Sequence, residues 1–162
     1  MDKSSLKPGH LRRIKSLALL NEDQLVAFLN YVEVVNCARM ATLFREGQRA
    51  SSMYLILDGE MRVYTKQNNG EMILLRLLES GDAFGEVALL TKASRTASVE
   101  AVRDTVLIEI SASALDKLTT EQPALAAQFL YHLARSLGRQ LGDLTTKWRI
   151  FREQASMFSL VQ

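Results

Sequence analysis

Apolar residues recur at every third or fourth position toward both ends of the chain and alternate with polar ones through its middle. Leu25, Phe28 and Leu29 follow Asn21-Glu22-Asp23-Gln24, a cap with a polar residue three positions on, so a helix is predicted there. An earlier helix is predicted over Leu11–Leu17, after the breakers Pro8 and Gly9. From Tyr31 to Ile110 the period falls to two. Tyr31–Val35, Met53–Leu57, Met61–Thr65, Met72–Leu78, Thr96–Val102 and Thr105–Ile110 read as strands. Asp58-Gly59 predicts a hairpin, and Asn68-Asn69-Gly70 and Ser80-Gly81-Asp82 supply further turns. Short strands with such regular turns argue for an antiparallel sandwich or barrel.

Helix returns after the last strand. Ser111 or Ser113 can cap a segment reaching Leu118, and Pro123 suits the first turn of another. Leu130, Leu133, Leu137, Leu141, Leu144, Trp148 and Phe151 then form an amphipathic stripe of about three heptads. Gly138 and Gly142 interrupt it, each weakening a helix by about 1 kcal/mol relative to Ala. The expected class is α+β, with N-terminal helices over 1–30, a β-barrel over 31–111 and C-terminal helices over 112–162.

The 162 residues suit one domain, with or without a helical appendage, and 48% hydrophobic content excludes a disordered chain. One cysteine, Cys37, excludes an intramolecular disulfide, and only His10 and His132 could contribute imidazole to a metal centre. No apolar run approaches the ~18 residues a membrane helix needs. No stretch of signal-peptide length follows the basic N-terminus. A cytoplasmic protein is expected. The net charge of +2 is too balanced to argue for nucleic acid, although basic residues concentrate near both ends.

The chemistry concentrates in residues 81–99. Gly85 allows a turn without a Cβ clash, and a short helix can start at Glu86 with free N–H groups at its end. Arg95 lies a short loop away and could fork onto an anion there. A carboxylate beside an anion site needs a neutral hydroxyl to accept from. Glu86 and Arg95 therefore suit a phosphate adjacent to a free hydroxyl, as in a ribose cyclic phosphate; on spacing alone they could equally form a structural ion pair.

Phe84-Gly85-Glu86-Val87-Ala88-Leu89-Leu90 followed by Arg95-Thr96-Ala97 resembles the phosphate-binding cassette of cyclic nucleotide-binding domains. That family includes the catabolite activator protein, regulatory subunits of cyclic-nucleotide-dependent kinases and cyclic-nucleotide-gated channels. The likeness extends upstream through Leu43–Gly47 and Met53–Tyr64 and covers about residues 15–135. It implies a jelly roll, or double-stranded β-helix. It implies that Glu86 holds the ribose 2′-hydroxyl, that Arg95 pairs with the cyclic phosphate, and that the Gly85–Ala88 backbone completes the cradle. A hydroxyl directly after the arginine, here Thr96, can reach a purine edge and help guanine bind. Lys92 is expected in solvent. The base pocket is expected to close with a residue of the following helix, with Leu130, Tyr131, Leu133 and Ala134 in the right region and Trp148, Phe151 and Phe158 as aromatic candidates.

Three classes of function then compete. A cupin-like enzyme needs histidines on barrel strands, whereas both histidines fall in predicted helices. A catabolite-activator-type regulator needs ~60–80 residues of helix-turn-helix beyond the long helix, and about ten follow Phe151. The expectation is a non-enzymatic sensor of cAMP, or alternatively cGMP, with no cofactor. It would form a homodimer through its C-terminal helix and signal to an effector protein without binding DNA or a membrane. The alternatives are a transcription regulator of the catabolite activator type lacking its own DNA-binding module, and a degenerate domain that no longer binds nucleotide and serves as a protein-interaction module.

Overall fold

The computed structural model describes the backbone of residues 1–159 and the side chains of residues 1–153. The N-terminal segment holds α1 (Pro8–Leu11) and α2 (Glu22–Phe28). Asn21 caps α2 as its sequence indicates: its side chain accepts from Gln24 N, and the Gln24 side chain accepts from Asn21 N, both at 2.9 Å. Between them the predicted Leu11–Leu17 helix gives way to a chain of turns. Leu11, Ile14, Leu17 and Leu20 are all buried at a spacing of three, and each turn closes by an i→i−3 bond near 3 Å. A period of three suits successive tight turns better than α-helix.

Eight strands follow: β1 (Glu33–Cys37), β2 (Thr42–Phe44), β3 (Ser52–Asp58), β4 (Glu60–Lys66), β5 (Met72–Glu79), β6 (Ala83–Phe84), β7 (Ser98–Ala101) and β8 (Thr105–Ser111). They form two antiparallel sheets of four, ordered β1-β8-β3-β6 and β2-β7-β4-β5. The sheets face each other as an open jelly roll rather than a closed barrel. Among the described residues only β4 and β5 are sequence neighbours that pair with each other.

The hairpin expected at Asp58-Gly59 is therefore a corner. The chain leaves one sheet there and enters the other. Gly59 has φ +129°, and any Cβ on it would run into the side chain and Cα of Thr105. Glu60 N donates to Thr105 Oγ1 at 3.1 Å, which locks the corner to the start of β8. Local turn residues signal a reversal but not which sheet receives the next strand.

β3 explains how the two halves of the core divide. Ser52–Leu57 are all buried, because both faces of the strand are covered. Met53, Leu55 and Leu57 face the helices, while Tyr54 and Ile56 point between the sheets with Met61, Leu78, Val99 and Leu107. The helical side includes α4 (Ala112–Glu121), capped by Ser111, and α5 (Pro123–Ser159). Phe28 of α2 and Phe129 of α5 pack with ring centres 5.2 Å apart.

α5 is 37 residues, about 55 Å long. Gly138 and Gly142 do not break it, and a Cβ on either would meet open space. Its first half is anchored by Leu125, Ala126, Phe129 and Leu133, all buried. Beyond that, Leu141, Leu144, Trp148 and Phe151 are exposed. Phe158 and Leu160 lie outside the residues described to side-chain level. No described helix is long and apolar enough to cross a membrane.

Candidate functional site

β6 is only Ala83–Phe84, and the six-residue helix α3 (Glu86–Thr91) starts straight after it. Gly85 joins the two at φ +79°, a left-handed conformation that costs an L side chain about 1–2 kcal/mol. A second reason for glycine is steric. A Cβ at 85 would stand 2.7 Å from Arg95 Nη1.

Arg95 is 5% exposed. Its Nη1 donates to the Gly85 carbonyl at 3.0 Å and its Nη2 to the Ser52 carbonyl at 2.6 Å. The guanidinium carbon lies 4.0 Å above the centre of the Phe44 ring. Phe44, Tyr54 and Phe84 cluster beneath it, with Tyr54 and Phe84 stacked at 5.5 Å. The Arg95 backbone is fixed too: its N–H donates to Gln48 O and its carbonyl accepts from Gly47 N, both at 2.8 Å. Burial lowers the guanidinium pKa, opposed by the fields of Tyr54, Glu109 and Glu86, but a group starting so high stays charged.

Glu86 is likewise 5% exposed, and its Oε2 has no hydrogen-bond partner among the described residues. Burial raises its carboxyl pKa, opposed by its own backbone N–H and by the fields of Arg76 and Arg95. The ion pair that spacing alone allowed between Glu86 and Arg95 is not formed among the described residues. A buried carboxylate oxygen without a partner costs about 1–3 kcal/mol or more, so such an atom calls for a donor from outside the chain.

Both side chains open on one cavity of about 620 Å³. The structure brings Phe84, Gly85, Glu86, Val87, Ala88, Arg95, Thr96 and Ala97 together around it. Val87 and Thr96 are exposed there, while Ala88 and Ala97 are buried. Lys92 caps α3 at φ 55° in solvent and is not part of the lining. Apolar side chains in the lining include Val63, Leu75, Leu78 and Val99. Among the described residues no cluster suited to a metal ion is present.

The helix residues at the cavity are not those expected. Leu133 is buried in the core, Leu130 packs against it, and Tyr131 faces solvent. Gln140, Asp143, Leu144 and Lys147 of α5 line the cavity instead. Their spacing of three and four, one turn after Leu137, puts them on one face, so Leu144 was visible in the stripe but its polar neighbours were not. Arg76 on β5 also lines the cavity, and an arginine in an apolar strand was the available signal.

The profile of the cyclic nucleotide-binding domain matches residues 34–122. The chain belongs to the cyclic nucleotide-binding domain family. It is 31% identical over 101 residues to lysophospholipase NTE1 of Cryptococcus neoformans, covering 62% of this chain and 6% of that protein. It is 26% identical over 120 residues to a CRP-like cAMP-activated global transcriptional regulator of Mycobacterium tuberculosis, covering 74% of this chain and 54% of that one. The Thermus thermophilus catabolite activator protein superposes with a TM-score of 0.74 at 26% identity, over 85% of this chain and 62% of that one. The chain thus spans a small part of the lysophospholipase and about half of the regulator.

Proposed function

We propose that the chain is a non-enzymatic sensor of a 3′,5′-cyclic purine mononucleotide, cAMP or cGMP, that signals to an effector protein through α5. The observation that carries this reading is Glu86. Its carboxylate is buried, one oxygen lacks a partner, and it shares a cavity with the Arg95 guanidinium. A ribose 2′-hydroxyl donates to such a carboxylate, and a cyclic phosphate accepts from such a guanidinium. The cAMP-activated regulator among its relatives supports the same ligand class.

α5 is the output element because it both lines the cavity and leaves the body. Ligand that binds one position of α5 better than another shifts the population of that position. The exposed apolar stripe on α5, with Trp148 64% and Phe151 62% exposed, supports a homodimer built on this helix. A protein-interaction module without nucleotide is the second reading, favoured by one feature: the Arg95 fork already holds two backbone carbonyls. Isothermal titration of the chain with cAMP and with cGMP separates the two. Saturable one-site binding supports the sensor, and no heat or thermal shift at millimolar ligand overturns it.

A further inference from the structure

Arg95 is a buried cation with no carboxylate partner among the described residues. Its direction is set by the two carbonyls it holds, and the shorter bond goes to Ser52, the first residue of β3. Strand ends open more readily than strand centres, so Ser52 needs an anchor of its own. Glu109 of β8 provides it. Its Oε1 accepts from Ser52 Oγ at 2.5 Å and from Tyr54 Oη at 3.1 Å. The first has the short length of a hydroxyl donating to a charged carboxylate. The two hydroxyls stand 3.3 Å apart, which closes a triangle.

Strand register builds this triangle. Ser52 and Tyr54 are two residues apart on β3 and share a face of the strand. Tyr54 opposes Glu109 directly across the ladder, and Ser52 opposes Ser111. Glu109 is therefore opposite one donor and diagonal to the other, both within reach of a long side chain. Each donor also touches Arg95. Ser52 gives its carbonyl to Nη2, and the centre of the Tyr54 ring lies 5.8 Å from the guanidinium carbon. One carboxylate oxygen thus ties down two of the groups on which the fork rests. Glu109 itself does not line the nucleotide cavity. It lines another groove, of about 170 Å³, with Tyr31, Ser113 and Lys117.

Resting on the proposed nucleotide site, we infer that Glu109 is a positioning residue for the cyclic phosphate: through Ser52 and Tyr54 it holds the Arg95 fork aimed into the cavity without touching the ligand. A guanidinium carries several N–H donors, and the two carbonyls leave some of them free. Those left over serve a phosphate well only if the guanidinium plane is held still, because a forked contact depends on angle as well as distance. Holding the plane before ligand arrives also spares the cost of ordering the side chain on binding.

Calorimetry with cAMP and cGMP on the wild type, Glu109→Ala and Glu109→Gln tests this. Groups that support a ligating side chain from behind typically change affinity by roughly 10- to 100-fold, so Glu109→Ala should weaken binding by about tenfold or more. A glutamine carbonyl accepts from the same two hydroxyls, so Glu109→Gln should stay within about threefold of the wild type. The two diastereomers of the cyclic phosphorothioate, each with sulfur replacing one exocyclic oxygen, supply a readout that a loss of stability does not move. A fork aimed at one oxygen prefers one diastereomer, and Glu109→Ala should bring that ratio toward one. Ser52→Ala combined with Tyr54→Phe removes both donors. It should reproduce Glu109→Ala, and it takes the place of that variant if the alanine chain does not fold. Unchanged affinity in Glu109→Ala, an equal loss in Glu109→Gln, or a diastereomer ratio within about twofold of the wild type's overturns the role of Glu109 while leaving the nucleotide site standing. Failure of the wild type to bind either nucleotide overturns the site and this inference with it.

Discussion

Arg95 Nη1 lies 3.0 Å from the Gly85 carbonyl oxygen, and that same nitrogen occupies the space a Cβ on residue 85 would need. Glycine at 85 is thus tied to arginine at 95 by contact as well as by backbone conformation. Gly85→Ala should cost about 1–2 kcal/mol in stability from the left-handed φ alone, a drop of several degrees in Tm. It should also displace the guanidinium and weaken cyclic-nucleotide binding by tenfold or more. Thermal unfolding and calorimetry on the one variant read both effects.

Arg95→Ala should weaken nucleotide binding by about 2–5 kcal/mol, or roughly 30-fold to several-thousand-fold, because a desolvated phosphate loses its charged partner. Titration with cAMP and cGMP measures it. Affinity equal to wild type would remove Arg95 from the site.

Glu86→Ala should weaken cAMP more than 2′-deoxy-cAMP, since the deoxy ligand has no hydroxyl to lose. The difference between the two losses isolates the single contact. Equal losses for both ligands would show that the carboxylate does not hold the ribose.

Burial sets a pH dependence for the free protein. The Glu86 carboxyl has a folded-state pKa raised above its ordinary value of 4.5. The folded state therefore holds its proton to higher pH than the unfolded one. The stability tied to that proton is full below the unfolded pKa and is lost as pH rises through the folded one. Glu86→Gln removes the dependence. Without ligand, the glutamine variant should melt above the wild type at pH 7, and the gap should shrink as pH falls toward 4. Melting curves across pH 4–8 check the sign.

Light scattering should find a dimer at tens of micromolar. Trp148→Glu with Phe151→Glu should make it monomeric without lowering Tm by more than a few degrees, since both residues are exposed on the free chain. A wild-type monomer, with and without nucleotide, counts against the helix as a dimer seam.

The capping box at Asn21, the strands with clean alternation and the long apolar stripe were all legible, because each is written in neighbouring residues. The grouping of Phe84–Ala97 around one cavity was legible for the same reason, since it is one short segment plus an arginine ten residues beyond Gly85. The corner at Gly59 was not, because the residue that forbids a Cβ there is Thr105, far along the chain. Arg76 stands out as an arginine in an apolar strand, but its place at the cavity depends on a one-residue bulge that no local pattern reports. The α5 residues at the cavity depend on how far the helix runs beyond Leu133 before it passes the cavity, which is a property of docking rather than of period.

The corner at Gly59 also governs how the molecule can be assembled. Since β3 and β4 lie in different sheets, each sheet draws strands from both sides of residue 59. β1 waits for β8 across nearly seventy residues of chain, and β2 waits for β7. A ribosome that has delivered everything up to β6 has made two pairable sets, β4 with β5 and β3 with β6, while β1 and β2 still lack the strands they pair with. The roll therefore closes late and over long loops, which places its folding in the millisecond-to-second range of non-local β topologies. For the same reason a cut at residue 59 yields two halves that should each stay unfolded alone and regain the fold only when mixed.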